Sequence, residues 1–372
     1  MKYGIIIINI NNINIENKLG NDMHPTGYGG ISMSKENCAI ILAAGEGKRM
    51  KRERPKALAP VLFKPMLEWV LDSAKAAGIG RLCVVTGYRH EQVEQFLKSY
   101  DPAIYTAYQP QRKGTGHAVM MAADFLRSNR SSDVLILNGD APFISPREIQ
   151  KAYKVHKENN NAVTVISAEL SDPTGYGRIV RDPQTGRLAA IVEQKDASAE
   201  VQKIQEINSG AYWFQAEELL GILSEIRNDN TQGEYYLTDA VRLLIERNRE
   251  ADACKADSTE AVLGANDCLQ LAELNQIARK KILDTHLLSG TDIPCSDGVI
   301  IGPDVVIGSN VTILPGTILR GRTAVGASCV IGPNTVLTDC TVGEGVILNS
   351  VQCSGCTIES GQTVAPYTVM TK

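Results

Sequence analysis

The sequence predicts an α/β domain with a mostly parallel, Rossmann-like sheet, followed by a left-handed parallel β-helix. Buried apolar runs alternate with helical segments from Cys38 onward, an order that favours a sheet covered by helices on both faces. After about Gly290 the helical periodicity stops, and aliphatic residues recur at every sixth position. These observations predict three segments, namely a leader at 1–37, the α/β domain at 38–290 and the β-helix at 291–372.

The elements of the α/β domain follow from apolar runs and from helix-end residues. We predict strands at 38–44, 82–85, 104–108, 134–137 and 163–168. We expect helices at 65–78 and 115–126, and a third helix after Ser145, which opens a capping box with proline at the first helical position. Ligands of such sheets bind at the carboxyl ends of the strands, where Gly45 and Asp140 fall.

The repeat in the last third of the chain has a period of six. The recurring aliphatic residues are Ile301, Ile307, Ile313, Leu319, Val325, Ile331 and Leu337. An antiparallel β domain would show a period of two, so the pattern favours a β-helix in which each short strand adds one inward side chain. The phase slips at Val342 and resumes around Ile358 and Val364, and we expect roughly four coils of about 18 residues each.

The first 37 residues contain a low-complexity tract of isoleucine and asparagine. Its apolar run is shorter than the apolar region of a signal peptide and far too short to span a bilayer. We interpret it as a leader that is disordered or derives from cloning. The alternative is that its isoleucines form an extra edge strand.

Charge and cysteine content exclude several classes of protein. The formal net charge is -4, so bulk electrostatics predict no nucleic-acid partner and no membrane partner. The nine cysteines are odd in number and scattered, which fits reduced thiols in a cytoplasmic protein better than a disulfide framework. Cys353 and Cys356 have CxxC spacing, but they lie within the β repeat and have no second pair, so we favour a structural role.

A glycine-rich turn follows the first predicted strand. Glycines at 45 and 47 let the backbone approach phosphate oxygens, and Arg49 and Lys56 add cations that can stabilise charge on phosphorus. The spacing is neither that of a Walker motif nor GxGxxG. Alone, such a turn is also an ordinary loop, so its function depends on the rest of the chain.

The stretch LAAGEGKRM at 42–50, with Arg-Pro-Lys at 54–56, resembles the signature of bacterial sugar nucleotidyltransferases. Further blocks appear in that family's order: QPQRKGTGHA at 109–118, DPTGYGRI at 172–179, VEQKD at 192–196, IQEINSG at 204–210, QGEYYLTD at 232–239 and GANDCLQL at 264–271. They narrow the resemblance to the uridylyltransferase half of the bifunctional N-acetylglucosamine-1-phosphate uridyltransferase/glucosamine-1-phosphate acetyltransferase family. The hexapeptide tail is similar to the architecture of that family.

The resemblance implies a set of roles. The implied nucleotide-binding residues are Leu42, Ala43, Ala44, Gly45, Gln109, Gly114, Thr115, Asn138 and Gly139. The implied sugar-binding residues are Gly177, Glu193 and Asn208, the implied Mg²⁺ ligands are Asp140 and Asn266, and the implied catalytic cations are Arg49 and Lys56. The implied reaction is in-line attack of N-acetylglucosamine 1-phosphate on the α-phosphorus of UTP, which releases pyrophosphate. The attacking phosphate is already an anion and needs no general base.

Several residues have a second interpretation. Asp140 ends a strand in a sequence that also suits a turn. His117 could be a base, but we favour packing or hydrogen bonding beneath the glycine turn. The tyrosines at 235 and 236 are as consistent with packing as with substrate contact. Asn138 and Ser209 depart from the residues common in the family, which leaves only fine base and sugar contacts open.

The composition of the hexapeptide repeats argues against a second, acetyltransferase activity. The histidines are His24, His90, His117, His156 and His286, so none lies in the repeats. From Gly298 onward the basic residues are Arg320, Arg322 and Lys372. Acyltransferases of the family use a histidine base and cations for coenzyme A, so we expect no acetyltransferase activity. The repeats remain a candidate for homotrimer formation or for capping.

Two further hypotheses stay open at this level. One is a nucleotidyltransferase for a different sugar or base, such as glucose 1-phosphate or dTTP, because similar pockets discriminate weakly between such ligands. The other is a non-catalytic regulatory subunit. Such a subunit typically loses the arginine, the lysine or a metal ligand, whereas all of these residues are present here.

Overall fold

The structure, a computed structural model, describes residues 37–51 and 53–372. The predicted leader lies outside the described residues except for Asn37. The α/β part contains eleven strands: β1 Cys38–Ala43, β2 Pro60–Val61, β3 Lys64–Pro65, β4 Arg81–Thr86, β5 Tyr105–Tyr108, β6 Asp133–Asn138, β7 Val163–Glu169, β8 Arg178–Arg181, β9 Leu188–Val192, β10 Glu206–Gln215 and β11 Ala251–Lys255.

The main sheet has the strand order β11-β7-β10-β6-β1-β4-β5. The pairs β1–β4, β1–β6, β4–β5 and β7–β11 are parallel, whereas β10 runs antiparallel to both β6 and β7. The strands β8 and β9 form an antiparallel pair attached to β10, and β2 and β3 form a separate hairpin. The predicted mostly parallel α/β sheet is therefore confirmed, with antiparallel strands inserted on one side of β6.

Helices cover both faces of this sheet. The helices of this part are α1 Met66–Ala76, α2 His90–Tyr100, α3 Thr115–Met121, α4 Ala123–Ser128, α5 Pro146–Glu158, α6 Ala216–Ile222 and α7 Thr238–Glu246, and α8 Cys268–Leu288 packs instead on β2 and on the first strand of the β-helix. Along β1, Cys38 and Ile40 pack into one apolar core while Ala39 and Ile41 pack into the other. This burial on both faces explains why β1 is an uninterrupted apolar run. Within the described range, no helix is both long and apolar enough to cross a bilayer.

Two sequence predictions are wrong in detail. The single helix expected at 115–126 is divided at Ala122, whose φ of -91° and ψ of 14° leave the helical region. The capping box forms only in part, because Ser145 Oγ accepts from the Glu148 N–H at 3.2 Å while the Glu148 carboxylate accepts from the Asp257 N–H at 2.8 Å. Tertiary contacts thus replace the reciprocal half of the box.

The last part of the chain forms the predicted β-helix. Its strands are β12 Ile300–Ile301, β13 Val306–Ile307, β14 Thr312–Ile313, β15 Ile318–Arg320, β16 Ala324–Val325, β17 Val330–Ile331, β18 Val336–Thr338, β19 Thr341–Val342, β20 Ile347–Leu348, β21 Gln352–Ser354, β22 Thr357–Ile358 and β23 Val369–Thr371. They pair in parallel as three faces of five, four and three strands. The aliphatic residues that recur at every sixth position point into one apolar core.

The slip in the repeat at Val342 has a structural cause. Val336 lies beside Ile318, a coil of 18 residues, whereas Thr341 lies beside Ala324, a coil of 17. The corner after β18 has two residues where the corner after β15 has three, so one residue is missing from the turn and the strands stay in register. The inward position is kept because the change in length falls outside the strands.

The α/β part and the β-helix meet through α8, the β2–β3 hairpin and one buried lysine. Lys64 Nζ lies 2.7 Å from Asp72 Oδ2 of α1 and 2.7 Å from Asp304 Oδ1 in the corner after β12. Burial would lower the pKa of Lys64, but hydrogen bonds to Asp304 and Asp72 outweigh burial and raise it. The lysine therefore stays charged and links α1 to the first coil.

Candidate active site

A cavity of about 430 Å³ lies at the carboxyl ends of β1 and β6. This is the position at which parallel α/β sheets bind ligands. The residues predicted from the sequence that line it are Leu42, Arg49, Thr115, Asn138, Asp140, Gly177, Glu193, Asn208 and Asn266. Residues separated by more than 200 positions in the chain thus face one space, whose walls are mostly polar.

The strongest charge contact in the site joins Lys56 to the two predicted metal ligands. Lys56 Nζ donates to Asn266 Oδ1 at 2.7 Å and forms an ion pair with the Asp140 carboxylate. The Lys56 side chain is 12% exposed and that of Asp140 30%, so solvent screens the pair only in part. Two side-chain oxygens from distant segments therefore converge on one cationic group.

The glycine-rich turn brings Lys56 into this position. Gly47 has a φ of 66°, and a Cβ at Gly47 would lie 2.9 Å from Lys56 Cβ, so a side chain there would push the lysine away. Arg49 sits in a single 3₁₀ turn, Lys48–Met50, that begins immediately after Gly47. It is exposed and lines the cavity. Arg49 consequently faces the cavity, while Lys56 lies just outside its lining and reaches the site through Asp140 and Asn266.

The far end of the cavity is formed by Glu193, Asn208 and Gly177. Asn208 N donates to Gly177 O at 2.9 Å, and its side-chain amide donates to Tyr212 Oη at 2.7 Å. Glu193 Oε1 accepts from Thr238 Oγ1 at 3.2 Å. Burial raises the pKa of Glu193, although the Thr238 hydrogen bond partly offsets it. A carboxylate and an amide that line one cavity can both hydrogen-bond a polar ligand.

Gln109 lies behind the cavity, within hydrogen-bond reach of His117. Its side-chain nitrogen donates to Gly114 O at 3.1 Å and to His117 Nδ1 at 2.9 Å. Burial, and then the charge of Lys113, lower the pKa of His117, so the imidazole is neutral and supports the turn. Gly114 has a φ of 105°, and a Cβ there would lie 2.5 Å from the backbone oxygen of Tyr235.

Comparison with known proteins identifies the family to which this chain belongs. The nucleotidyl transferase family matches residues 38–265, and six bacterial transferase hexapeptide repeats match 304–339. The chain belongs to the nucleotidyl transferase family. Both halves of the fold predicted from the sequence are thereby confirmed.

Relatives of this nucleotidyl transferase carry the name Bifunctional protein GlmU. The protein from Caldanaerobacter subterraneus subsp. tengcongensis is 44% identical over 84% of this chain and 66% of the relative. The protein from Thermoanaerobacter pseudethanolicus is 40% identical over 88% of this chain and 70% of its own length. The protein from Acetivibrio thermocellus is 42% identical over 76% of this chain and 60% of its own length. The family resemblance drawn from the motifs is confirmed, and the chain spans about 60 to 70% of the length of these relatives.

The predicted site residues of this nucleotidyl transferase do not all face the cavity. Those outside its lining are Ala43, Ala44, Gly45, Lys56, Gln109, Gly114 and Gly139. Lys56 reaches the site through Asp140 and Asn266, and Gly139 N donates to Leu42 O at 2.9 Å, which joins the ends of β1 and β6. Ala43 and Ala44 are buried in the two cores beside β1.

Among the lining residues of this nucleotidyl transferase that sequence reasoning did not assign are Tyr176, Tyr212, Thr238 and Gln270. Three of them lie inside the motif blocks at 172–179, 232–239 and 264–271, so the blocks contained the necessary information. Thr238 holds Glu193, and Gln270 Oε1 accepts from the Asn266 N–H at 2.7 Å. Both position predicted site residues through contacts that form only in the folded chain.

Proposed function

We propose that this chain transfers a uridylyl group from UTP to N-acetylglucosamine 1-phosphate, giving UDP-N-acetylglucosamine and pyrophosphate. The observation that carries the proposal is the single cavity at the end of β1 and β6. Its lining combines the cation Arg49, two side-chain oxygens that contact the cation Lys56, and a carboxylate–amide pair, which are the groups needed for triphosphate, metal and sugar. The similarity to GlmU proteins supports the same reaction.

In this mechanism the protein positions two anions and neutralises charge. Arg49, at the start of the cavity, would hold the triphosphate, and Lys56 would neutralise charge developing on the α-phosphorus and the leaving pyrophosphate. The attacking atom is a phosphate oxygen that is already ionised, so no proton has to be removed from it. His117 is accordingly assigned to support of the turn, because its Nδ1 already accepts from Gln109.

The donor set fits a magnesium site. Asp140 and Asn266 offer one carboxylate and one amide oxygen, and both already converge on a single cationic nitrogen. Mg²⁺ prefers one or two such protein oxygens, with water and phosphate oxygens completing its octahedron. When bound, Mg²⁺ would offset the negative charge of the triphosphate. In the described residues no cluster of three or more acidic, histidine or cysteine side chains offers a separate, all-protein metal site.

The sugar would occupy the end of the cavity formed by Gly177, Glu193 and Asn208. Gly177 leaves space beside Glu193 for the sugar, because a Cβ at this position would already be in contact with Glu193 Oε2, at 3.4 Å. The Glu193 carboxylate would accept from a sugar hydroxyl, and the Asn208 amide would orient the N-acetyl group. The nucleotide base would lie toward Gln109, Gly114 and Thr115.

We also infer that the repeats in this chain do not transfer acetyl groups, because residues 298–372 contain no histidine. An acetyl-coenzyme A assay with glucosamine 1-phosphate should therefore show no turnover. We propose a homotrimer formed through the β-helix and a cytoplasmic location. Light scattering that reports a monomer would contradict the trimer.

The main test is pyrophosphate release across UTP, dTTP and CTP with several sugar 1-phosphates, with Mg²⁺ and with EDTA. We expect release with UTP and N-acetylglucosamine 1-phosphate and none with EDTA. Asp140→Ala should abolish release while the circular-dichroism spectrum and melting temperature stay close to those of the wild type, since Asp140 is partly exposed. No release by the wild type with this pair would contradict the proposal, and equal release with dTTP or glucose 1-phosphate would favour a broader specificity.

A further inference from the structure

A second cavity, of about 860 Å³, lies where α8 and the β2–β3 hairpin meet the β-helix. We call it the junction cavity. Its lining includes three arginines, Arg54, Arg279 and Arg320, and no carboxylate of the described residues lines it. Apolar side chains of the hairpin, of α8 and of β12 complete the wall. The junction cavity therefore combines concentrated positive charge with an apolar surface.

Two of these arginines are held in place without being neutralised. Arg279 Nε donates to Val299 O at 2.8 Å, and Arg320 Nε donates to Thr338 Oγ1 at 2.8 Å. Arg279 Nη2 also donates to Ser296 O. These acceptors are uncharged oxygens, and each guanidinium has further N–H groups that these contacts do not use. A guanidinium that is fixed in this way loses less side-chain entropy when it binds an anion.

The hairpin presents an aromatic ring at the junction cavity in an unfavourable backbone conformation. Leu62 and Phe63 have φ values of 47° and 72°, a region that favours glycine and asparagine and disfavours large side chains. Phe63 is 43% exposed, and Arg320 Cζ lies 5.8 Å from the centre of its ring. The hairpin is held against α8, because Leu62 N donates to Asn275 Oδ1 at 2.8 Å. Strained residues of this kind are common where ligands bind.

Two chain segments that line the junction cavity also carry residues of the candidate active site. Arg54 precedes Lys56 by two residues, and Cys268 follows Asn266 by two residues. Lys56 and Asn266 are themselves joined by the 2.7 Å hydrogen bond of the active site. A molecule that contacts Arg54 and Cys268 would therefore restrict both segments that carry this hydrogen bond.

We propose that the junction cavity binds a small aryl or heteroaryl phosphate, distinct from the substrates of the active site. Its phosphate is held by Arg54, Arg279 and Arg320, because guanidinium forks match phosphate oxygens. Its ring lies on the exposed face of Phe63. Binding itself does not depend on the proposed uridylyl transfer, whereas an effect of the ligand on that reaction does.

The binding test uses two exposed cysteines of the same chain. Cys268 lines the junction cavity, and Cys295 is exposed but lies outside its lining. The wild-type protein is alkylated with iodoacetamide, a neutral reagent, and the modification of each cysteine is followed by peptide mass spectrometry. Saturating phenyl phosphate should slow alkylation of Cys268 by about tenfold and leave Cys295 unchanged, while phenol and inorganic phosphate should each protect less. No protection of Cys268, or equal slowing of Cys295, would overturn the proposal.

Matched variants separate this cavity from the active site. Arg54→Gln and Arg320→Gln remove exposed cations, and each should weaken protection on the order of tenfold, the effect expected of one charged hydrogen bond. Arg322→Gln is the control, because Arg322 lies two residues away on the β-helix and lines a different cavity. Arg49→Gln, in the active site, should leave protection intact. Protection that survives loss of both Arg54 and Arg320, or that disappears in Arg49→Gln, would refute this site.

The link to the active site has its own readout. Phenyl phosphate should change the initial rate of pyrophosphate release at least about twofold in the wild type and leave Arg320→Gln unaffected. An unchanged wild-type rate, together with protected Cys268, would overturn the link while leaving the binding site supported. Absence of any pyrophosphate release would count against the proposed uridylyl transfer and not against binding.

Discussion

Lys56→Met should make the free protein bind Mn²⁺ more tightly, although it should also slow catalysis. In the structure the Lys56 ammonium lies between Asp140 and Asn266, where the divalent cation is proposed to bind. A metal that enters without nucleotide must therefore displace the ammonium from both oxygens. Methionine keeps most of the side-chain volume but removes the charge, so this competition disappears.

The magnitude follows from the two contacts. Hydrogen bonds to charged groups contribute about 1.5–3 kcal/mol when buried, and exposed ion pairs about 0–1 kcal/mol. Because Lys56 is 12% and Asp140 30% exposed, we take an intermediate value. A value of about 1.4 kcal/mol corresponds to a roughly tenfold lower dissociation constant for Mn²⁺.

The assay is Mn²⁺ titration followed by electron paramagnetic resonance, in the absence of nucleotide and sugar. Lys75→Met is the matched control, because Lys75 pairs with Asp101 at 2.7 Å on the exposed surface. Asp140→Asn should bind Mn²⁺ weakly in either background. If Lys56→Met keeps its fold and its Mn²⁺ affinity equals or falls below that of the wild type, competition between Lys56 and the metal is refuted.

Three other substitutions test separate parts of the structure. Glu193→Gln should raise the melting temperature at neutral pH and raise the KM for the sugar phosphate. Burial raises the pKa of Glu193, so the wild type should become more stable as the pH falls from above this raised pKa to the ordinary pKa of a glutamate. Melting curves across pH should show this gain in the wild type and not in Glu193→Gln. Lys64→Met should lower the free energy of unfolding by about 2 kcal/mol, less than for a fully buried pair because its partner carboxylates are partly exposed. This difference in unfolding free energy, measured with urea, should persist at alkaline pH up to the ordinary pKa of lysine and disappear above the raised pKa of Lys64. A difference that is lost only at acidic pH would contradict the prediction. Gly114→Ala should raise the KM for UTP at least about tenfold by moving the backbone of Tyr235, whereas Gly80→Ala, with open space around its Cβ position, should leave kinetics unchanged.

Much of the fold was predictable because the strands have strong local patterns. The residues of β1 are apolar at every position because both faces of this strand are buried. The six-residue repeat arises because each short strand of the β-helix contributes one inward side chain. The motif blocks fall at strand ends and in loops, so they located the cavity without any knowledge of distances. Glu193 lies in one of these blocks, and Asp140 was singled out from its place at the end of a predicted strand.

The remaining features depend on contacts that no local pattern records. The hydrogen bond between Lys56 and Asn266 joins residues 210 positions apart, and it makes Lys56 a partner of the predicted metal ligands. The break at Ala122 falls within residues 117–128, where no proline or glycine marks it. Thr238 was missed because a hydroxyl group acquires its role only from the half-buried carboxylate beside it.

The unequal coils of the β-helix show how this architecture tolerates changes in length. Val336 and Gln352 are neighbours across 16 residues, although Ile318 and Val336 are neighbours across 18, and the ladder continues without a break. Each strand needs only the strand one coil below it, so a corner can lose a residue without disturbing any other coil. Single-residue deletions and insertions at such corners should therefore be nearly neutral in this part of the gene, while the same change within β1 would shift every side chain to the opposite face.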